Sequence, residues 1–252
     1  MFMSVLDNSL TAARYAELAD ARIAITGLSA SSGVDISRAF ADHKARLVLQ
    51  TGTLATDPEI TALVTVLAES ASEIKLFDTE ISSAASAQRF AQADLQAFGG
   101  IDAVINLIPV TAADLAELAR ADDIEAAIAA KLETALIVTR ITANRMRLMM
   151  TEGLILNVVV LDGAVSGHSA LIAGMIRATL AAMTRLEAQT WAGNGIRINA
   201  IGPRVALPGE KAPVSPASEP EIAAVALYLV SNRARGLSGH VFQAEGVLTK
   251  CE

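Results

Sequence analysis

The sequence predicts an α/β protein with a doubly wound, parallel sheet of seven strands between two layers of helices. Three observations support this three-layer fold class. Seven short runs recur along the 252 residues, and most are rich in Ile, Val and Leu, as expected of strands buried on both faces. Helix-like patterns separate the runs, and the first run leads through a glycine-containing turn into a helix. No linker or repeat interrupts this alternation, so residues 1–252 are expected to form a single domain.

The strands are predicted from short apolar runs bounded by polar residues or glycine. The predicted strands are ARIAITG (21–27), ARLVLQT (45–51), EIKLFD (73–78), IDAVINLI (101–108), LILNVVVL (154–161), IRINAIG (196–202) and HVFQAEG (240–246). Their spacing leaves room for a helix in most connections, which is what a parallel sheet requires.

The helices are predicted from apolar periodicity and from capping residues. Asp57 followed by Pro58 indicates an N-cap and a first helical residue. Two long helical patterns span residues 112–147 and 166–192, and a last helix is expected to begin near Glu221.

Composition excludes several classes of function. A net charge of -7 and a pI near 5.1 leave no basic stripe for phosphate backbones, so nucleic acid is not an expected partner. The single cysteine, Cys251, excludes an internal disulfide and a cysteine metal cluster, and no metal site is predicted. The start MFMSVLDNSL lacks a signal-like pattern and no uninterrupted apolar run reaches about eighteen residues, so a soluble cytoplasmic protein without membrane contact is expected.

A hydrophobic content of 52% and a positive mean hydropathy supply more apolar surface than one core needs. The excess is expected at contacts between subunits, so the sequence predicts an oligomer.

The first strand runs into TGLSASSG (26–33), followed by a helix and the second strand. This context presents backbone N–H groups and a helix N-terminus to a phosphate group. Further landmarks follow in order: Asp78 at the end of the third strand, GGIDAVIN (99–106), GIRINAIGP (195–203) and LSGHVFQAEG (237–246). In this order and spacing, the segments between about Ala21 and Gly246 resemble the short-chain dehydrogenase/reductase family.

The resemblance implies a Rossmann-type sheet of seven strands, binding of NAD(H) or NADP(H), and hydride transfer between a carbonyl and an alcohol. It also implies dimers or tetramers joined through long helices.

The catalytic positions of the family hold other residues in this sequence. Aligning the family's Tyr-x-x-x-Lys with HSALI places His168 at the Tyr position and Ile172 at the Lys position. Asn157 is kept in the fifth strand, but Val160 stands where the family has a Ser that donates to the substrate oxygen, and valine has no such donor. The family also has an Asn on the preceding long helix. By spacing, this position falls in the stretch that ends at Thr139, and Lys131 is taken as the equivalent residue.

Two functional interpretations of these residues remain open. His168 could act as an acid and base near neutral pH, although without a hydroxyl at 160 or a cation at 172 it would act alone. Alternatively, Lys131, His168 and Arg204 could form a small basic pocket for a carboxylate or an acyl phosphate. The simpler alternatives are a packed or solvated histidine and a solvated lysine.

The cofactor positions are also changed. Gly27 and Gly33 of the turn are kept, whereas Ser31 replaces the middle glycine that lets the backbone approach the phosphates. The second strand ends in Gln50 and Thr51, with neither the acidic residue of NAD users nor the basic residue of NADP users. Asp78 remains at the position of the adenine contact, and it equally suits a strand-end role.

After the fourth strand, Asn106 is kept and is followed by Leu107, Ile108 and Pro109, which put bulk and a fixed φ where the family has a small, flexible segment. We therefore expect no bound cofactor, or NADP or NAD if any.

The segment between Pro203 and the last helix is short and rich in Pro, Ser and Ala, so it is expected to be a connector and not a mobile lid. The first functional hypothesis is a catalytically inactive family member that serves as a subunit or scaffold. It would form a homo-dimer or tetramer, or a hetero-oligomer with an active paralogue. The alternatives are an NAD(P)(H)-dependent oxidoreductase with non-standard catalytic residues, and a small anionic-ligand binder that uses the former cofactor cleft.

Overall fold

The sheet has seven parallel strands in the order β3-β2-β1-β4-β5-β6-β7. The computed structural model describes residues 15–52, 56–161, 163, 165, 167–203 and 218–243, except the side chains at 94 and 95. The strands are β1 (Arg22–Thr26), β2 (Arg46–Thr51), β3 (Glu73–Asp78), β4 (Ala103–Val110), β5 (Gly153–Leu161), β6 (Ile196–Ile201) and β7 (Val241–Phe242). The chain turns outward in both directions from β1 and β4, which confirms the predicted doubly wound sheet.

The helices cover both faces of the sheet. They are α1 (Val34–Asp42), α2 (Pro58–Ser70), α3 (Ala84–Phe98), α4 (Ala112–Leu118), α5 (Ile124–Leu148), α6 (Gly167–Trp191) and α7 (Glu219–Val230). Helix α1 packs between α2 and α7 on one face, whereas α5 packs between α3 and α6 on the other. This gives the three layers that the sequence predicts.

Capping residues set several helix boundaries. The Asp57 carboxylate accepts a hydrogen bond of 3.0 Å from Glu59 N, which confirms the predicted start of α2. The single helical pattern predicted for residues 112–147 is wrong, because α4 ends at Leu118 and Asp123 caps a new helix by accepting from Ala126 N at 3.0 Å. The last helix begins two residues before the predicted Glu221.

The outer strands differ from the predicted pattern of burial. Strand β3 has no fully buried residue, because it lies at the edge of the sheet; Ile74 and Phe77 are partly covered, whereas Leu76 is exposed. Its Phe77 ring packs edge-on against Phe90 of α3 at 5.4 Å between ring centroids. Strand β7 has only two described residues, and the remainder of the predicted 240–246 strand lies largely outside the described residues.

The central strands β1, β4 and β5 are buried almost throughout, and β4 and β5 continue four residues beyond the level at which β1 ends. Thr26 of β1 is in register with Asn106 of β4, which is in register with Asn157 of β5. Because ligands in this architecture bind outside these strand ends, this edge is where a site is expected.

One helical stretch, Gly167–Asn194, is long and apolar enough to cross a membrane by length and composition alone. Its Ile172, Ala173 and Ile176 are buried in the core. The core helix of a soluble protein can meet the same criterion of length and composition. Within the described parts of the chain, no three His, Cys, Asp or Glu side chains are grouped in a way that could hold a metal ion.

Candidate functional site

A cleft of about 730 Å³ opens at the carboxyl ends of β1, β2 and β4. Its walls come from the turn after β1, from the ends of β2 and β4, and from the amino-terminal half of α5. Polar groups are contributed by Gln50, Glu80 and Lys131, and apolar bulk by Leu107 and Pro109. The cleft therefore lies where the sequence predicts a cofactor site.

The turn after β1 closes on itself. Gly27 and Gly33 adopt φ values of +75° and +91°, a region that suits glycine. Between them, Ser29 N donates to Ser32 O at 3.0 Å, and Ser32 N donates back to Ser29 O at 3.2 Å. Ser31, at the position of the middle glycine, lies within this closed loop, and its Oγ is 3.4 Å from Ser29 Oγ. Two N–H groups of the turn thus bond inside the turn.

The Gln50 side chain connects the turn to the segment after β3. Its Oε1 accepts a hydrogen bond of 2.7 Å from Gly27 N, and its Nε2 donates to Thr79 O at 2.9 Å. The side chain is buried, with 4% of its surface exposed. In the sequence, Gln50 indicates neither NAD nor NADP as the cofactor. In the structure, its two hydrogen bonds connect the turn after β1 to the segment after β3.

Leu107 fills the space next to both glycines. A Cβ placed on Gly33 would collide with Leu107 Cδ1, and one placed on Gly27 would lie 2.7 Å from Leu107 O. The leucine side chain also contacts this turn near Leu28 and is itself only 6% exposed. The sequence places this bulk after the fourth strand, but Leu107 lies within β4 and packs from there against the glycine turn.

Glu219, the first residue of α7, directs its carboxylate at the amino-terminal end of α1. Asp35 N donates to Glu219 Oε1 at 3.2 Å. Burial raises the pKa of Glu219 above its ordinary value, and the negative charge of Asp35 raises it further against the opposing effect of the N–H groups of Gly33, Asp35 and Ile36.

The end of the cleft nearest β3 is lined by Glu80 and Ile81, which follow that strand. Asp78 lies at the end of β3 and is exposed, and it is not among the described residues that line the cleft. The Cα and Cβ of Glu80 lie close beside Gly52, where an added Cβ would be 3.3 Å from Glu80 Cβ. The acidic side chain at this end is therefore two residues beyond the predicted one.

Asn106 belongs to a buried hydrogen-bond network that joins three strands and a helix. It accepts from Thr26 Oγ1 at 3.0 Å and donates to Asn157 Oδ1 at 2.8 Å. Thr139 of α5 donates to the same Asn157 oxygen at 3.2 Å. All four residues are at most 5% exposed. The two asparagines that this chain shares with the family pattern are therefore hydrogen-bonded to each other in the core.

The residues at the family's catalytic positions lie apart from one another. Ile172 is fully buried in the apolar cluster that includes Ile108 and Val159, whereas His168, in the first turn of α6, is exposed. Although one helical turn separates them, His168 faces solvent and Ile172 faces the core. Val160 is half-buried and packs against the cluster around β1 and β5.

Lys131 is paired with an acidic side chain. Its Nζ lies 2.9 Å from Asp114 Oδ1, and Asp114 also accepts from Thr111 N at 2.8 Å as part of a capping box. Partial burial acts to raise the pKa of Asp114, but the hydrogen bonds from Thr111 and Lys131 hold it below its ordinary value. Arg204, the third member of the hypothetical basic pocket, lies outside the described residues, as does most of the predicted connector.

Comparison with known proteins identifies the family. A model of the family described as "Enoyl-(Acyl carrier protein) reductase" matches residues 27–208, which is more than half of the chain. The chain belongs to the short-chain dehydrogenase/reductase family. The match includes the glycine turn, the cleft and helix α6. The catalytic and cofactor positions that were compared with those of the family therefore lie within the matched residues.

Relatives in this family align along nearly the whole chain. An uncharacterized oxidoreductase of Mycobacterium tuberculosis is 27% identical over 265 residues, covering 92% of both chains. D-threitol dehydrogenase of Mycolicibacterium smegmatis is also 27% identical, over 249 residues that cover 91% of this chain and 94% of the relative. Among solved structures, an NADH-dependent reductase complexed with NAD has a TM-score of 0.68 and 21% identity, covering 90% of this chain and 96% of its own.

The enoyl-(acyl-carrier-protein) reductase of Anaplasma phagocytophilum, solved in complex with NAD, has the same TM-score at 17% identity and covers 90% of this chain and 93% of its own. These structural likenesses show that the short-chain dehydrogenase/reductase fold extends over nearly all of the chain.

Two contributions to the site were missed by the sequence analysis. Gln50 was noted only as a strand end, and its bridging role depends on the distance between two loops. Glu219 was not considered, because 184 residues separate it from the helix that it contacts. A signal did exist for Glu219: acidic residues in a first helical turn commonly stabilise a nearby helix end.

Proposed function

We propose that this chain is a non-catalytic member of the short-chain dehydrogenase/reductase family that acts as a subunit or scaffold in an oligomer. One observation supports the loss of catalysis above the others. Ile172, at the position of the family's lysine, is fully buried in an apolar cluster. A cation cannot be accommodated there without a large desolvation penalty, so no ammonium group lowers the pKa of an acid at position 168.

The neighbouring positions support the same proposal. Val160 cannot hydrogen-bond a substrate oxygen, and Lys131, at the position of the relay asparagine, is paired with Asp114. The exposed His168 makes no hydrogen bond or ion pair with the described residues. Proton transfer to a substrate requires a donor held in place within hydrogen-bond reach, and these side chains do not form one.

The described residues also do not fit a dinucleotide bound in the family's manner. Such a ligand needs small residues and unoccupied N–H groups at the turn after β1. Here Leu107 packs onto Gly33, and the Glu219 carboxylate bonds to the first turn of α1. We therefore propose that neither NAD nor NADP is a resident cofactor.

An exposed apolar stripe supports the oligomer. On α6, Leu171 and Leu186 are 60% and 56% exposed, and Ala178 and Ala182 lie between them on the same side of the helix. Leu148, Met149 and Met150, at the end of α5, are also more than half exposed. Large apolar side chains in such a stripe are typical of subunit contacts.

The second candidate function is an NAD(P)-dependent oxidoreductase in which His168 acts as the acid. Membership in the family favours it, as do the similar proteins that were solved with NAD. The anion-binding alternative has less support, because Asp114 already neutralises Lys131 and a carboxylate already lies at the α1 end.

Catalysis is tested by titrating the purified protein with NADH and NADPH while following nicotinamide fluorescence, and by assaying a panel of ketones and aldehydes. We expect no turnover. Turnover that disappears in His168→Gln would overturn the proposal and establish the second candidate.

The subunit role is tested with a Leu171→Glu, Leu186→Glu double variant, measured by light scattering and by copurification with short-chain dehydrogenases of the native host. The variant is expected to lose assembly, whereas Val66→Glu, which changes a 54% exposed apolar residue on α2, is expected to retain it. Assembly that survives the α6 changes contradicts the proposed interface.

A further inference from the structure

The Glu219 carboxylate is held by a helix to which it does not belong. Asp35 N of α1 donates to its Oε1 at 3.2 Å, and the nearby N–H groups of Gly33 and Ile36 at the same helix end favour its ionised form. The residue stands at the start of α7, which packs alongside α1. An acidic side chain thus occupies the end of α1 at which the fold ordinarily receives a phosphate.

Capping of α7 does not account for this contact. Ser218 and Glu221 form the capping box of that helix, with Ser218 N donating to Glu221 Oε2 at 2.8 Å. Glu219 therefore remains available for α1. Burial and the charge of Asp35 raise the pKa of Glu219, while the hydrogen bond from Asp35 N opposes that rise by stabilising the charged form.

The rest of the turn has few donors left for an anion. Gly27 N bonds to Gln50, and Ser29 N and Ser32 N bond within the turn. Within the turn, the buried Ser32 Oγ has no hydrogen-bond partner among the described residues. A phosphate at this turn would therefore depend on the first turn of α1, which holds the carboxylate.

We propose that Glu219 is a specificity-determining residue that takes the place of a ligand phosphate at the N-terminus of α1 and keeps phosphate-bearing ligands out of the turn. A phosphate that entered would either displace the carboxylate or lie close to its negative charge. Both the displacement and the repulsion oppose binding. Leu107 opposes it by bulk, whereas Glu219 opposes it by charge.

The proposal predicts that neutralising one carboxylate admits anions. Glu219→Gln keeps the length of the side chain, and its amide can leave the helix end without carrying a charge. The matched control is Glu221→Gln, which removes the same charge from the same helical turn, although its carboxylate faces Ser218 and not α1. Inorganic pyrophosphate, ADP and adenosine serve as probes, with binding measured by calorimetry at constant ionic strength.

We expect Glu219→Gln to bind pyrophosphate and ADP at least about tenfold more tightly than the unaltered protein, while the affinity for uncharged adenosine does not change. Glu221→Gln is expected to match the unaltered protein for all three probes. Equal affinities in the Glu219→Gln and unaltered proteins would overturn the proposal. So would an equal gain in Glu221→Gln, because that result would indicate a general charge effect.

A second variant guards against a local folding defect in the first. Glu219→Ala removes the side chain that would otherwise fill the helix end, and it is expected to show the same gain for pyrophosphate if circular dichroism shows a native fold. The inference deepens the proposed function, and the two fail differently. Turnover of a ketone by the unaltered protein contradicts the proposed function, whereas the ratio of affinities between variants tests Glu219 alone.

Discussion

The two halves of the strand-end edge depart from the family pattern by different physical means. On the α6 side, Val160 and Ile172 replace polar reagents with apolar side chains, and Ile172 is part of the core. On the α1 side, Gln50 and Glu219 supply hydrogen bonds that a ligand would otherwise make. One half is filled by hydrophobic packing and the other by internal polar contacts. Under the proposed function, a ligand site would require space in the first half and the removal of competing groups from the second.

Ile172→Lys tests the apolar half and should have the largest effect. An unpaired ammonium in this cluster is expected to lower the free energy of unfolding by about 3–5 kcal/mol, measured by urea denaturation. Ile172→Val, the control, removes one methyl group and should lower it by only about 1 kcal/mol. A small effect of the lysine would mean that a polar space persists beside α6, and the contrast between the halves would fail.

Leu107→Ala tests the packing that borders both halves. Because this side chain is 6% exposed and lies against Gly33, its truncation is expected to lower the free energy of unfolding by about 2–4 kcal/mol. Leu76→Ala, at a 41% exposed position on β3, should change it by less than about 1 kcal/mol. Similar losses at the two positions would show that Leu107 does not fill the turn.

Asn106→Ala tests the buried polar network. Removing this amide takes one hydrogen-bond partner each from Thr26 and Asn157, so a loss of about 1–3 kcal/mol in the free energy of unfolding is expected. Chemical denaturation measures the loss, and Asn144→Ala, at the more exposed carboxyl-terminal end of α5, provides the comparison. A loss no larger than that of the comparison would mean that Asn106 does not bridge the strands.

The pH dependence of stability tests the charged group in the polar half and should be the smallest effect. A raised pKa in the folded state means that Glu219 contributes stability that is fully present below its ordinary pKa of 4.5 and is lost as the pH rises through the folded pKa. The unfolding free energy of the unaltered protein minus that of Glu219→Gln should therefore fall as the pH is raised above 4.5.

The charged neighbours of Glu219 are present in both proteins. Asp35 pairs with Arg38 at 3.1 Å, and Glu221 lies on the same helix, so their contributions cancel to first order in the difference. A difference that rises with pH would contradict the assignment.

Most of the fold could be predicted from local sequence. The strand runs and the Asp57 cap are signals within a few residues, and the structure confirms their order. The burial of β3 was mispredicted because an apolar run does not reveal whether its strand lies at an edge. The break before α5 was missed because Asp123 lies within a continuous run of good helix formers.

The site was less accessible to sequence analysis. The changed catalytic positions could be located by spacing, but the orientation of His168 depends on where α6 begins relative to β5. The contacts of Gln50 with Thr79 and of Glu219 with Asp35 join residues that are distant in sequence, so a local pattern can mark the acidic first turn of α7 but not the partner of either side chain.

The network of Thr26, Asn106, Thr139 and Asn157 has a consequence for how this protein would behave among changing metabolites. A protein whose strand ends need a ligand gains stability as that ligand accumulates, because binding draws the equilibrium toward the folded state. Here the amides and hydroxyls at the central strand ends already bond to one another. The melting temperature should therefore stay constant across the concentrations at which nicotinamide nucleotides rise and fall in a cell.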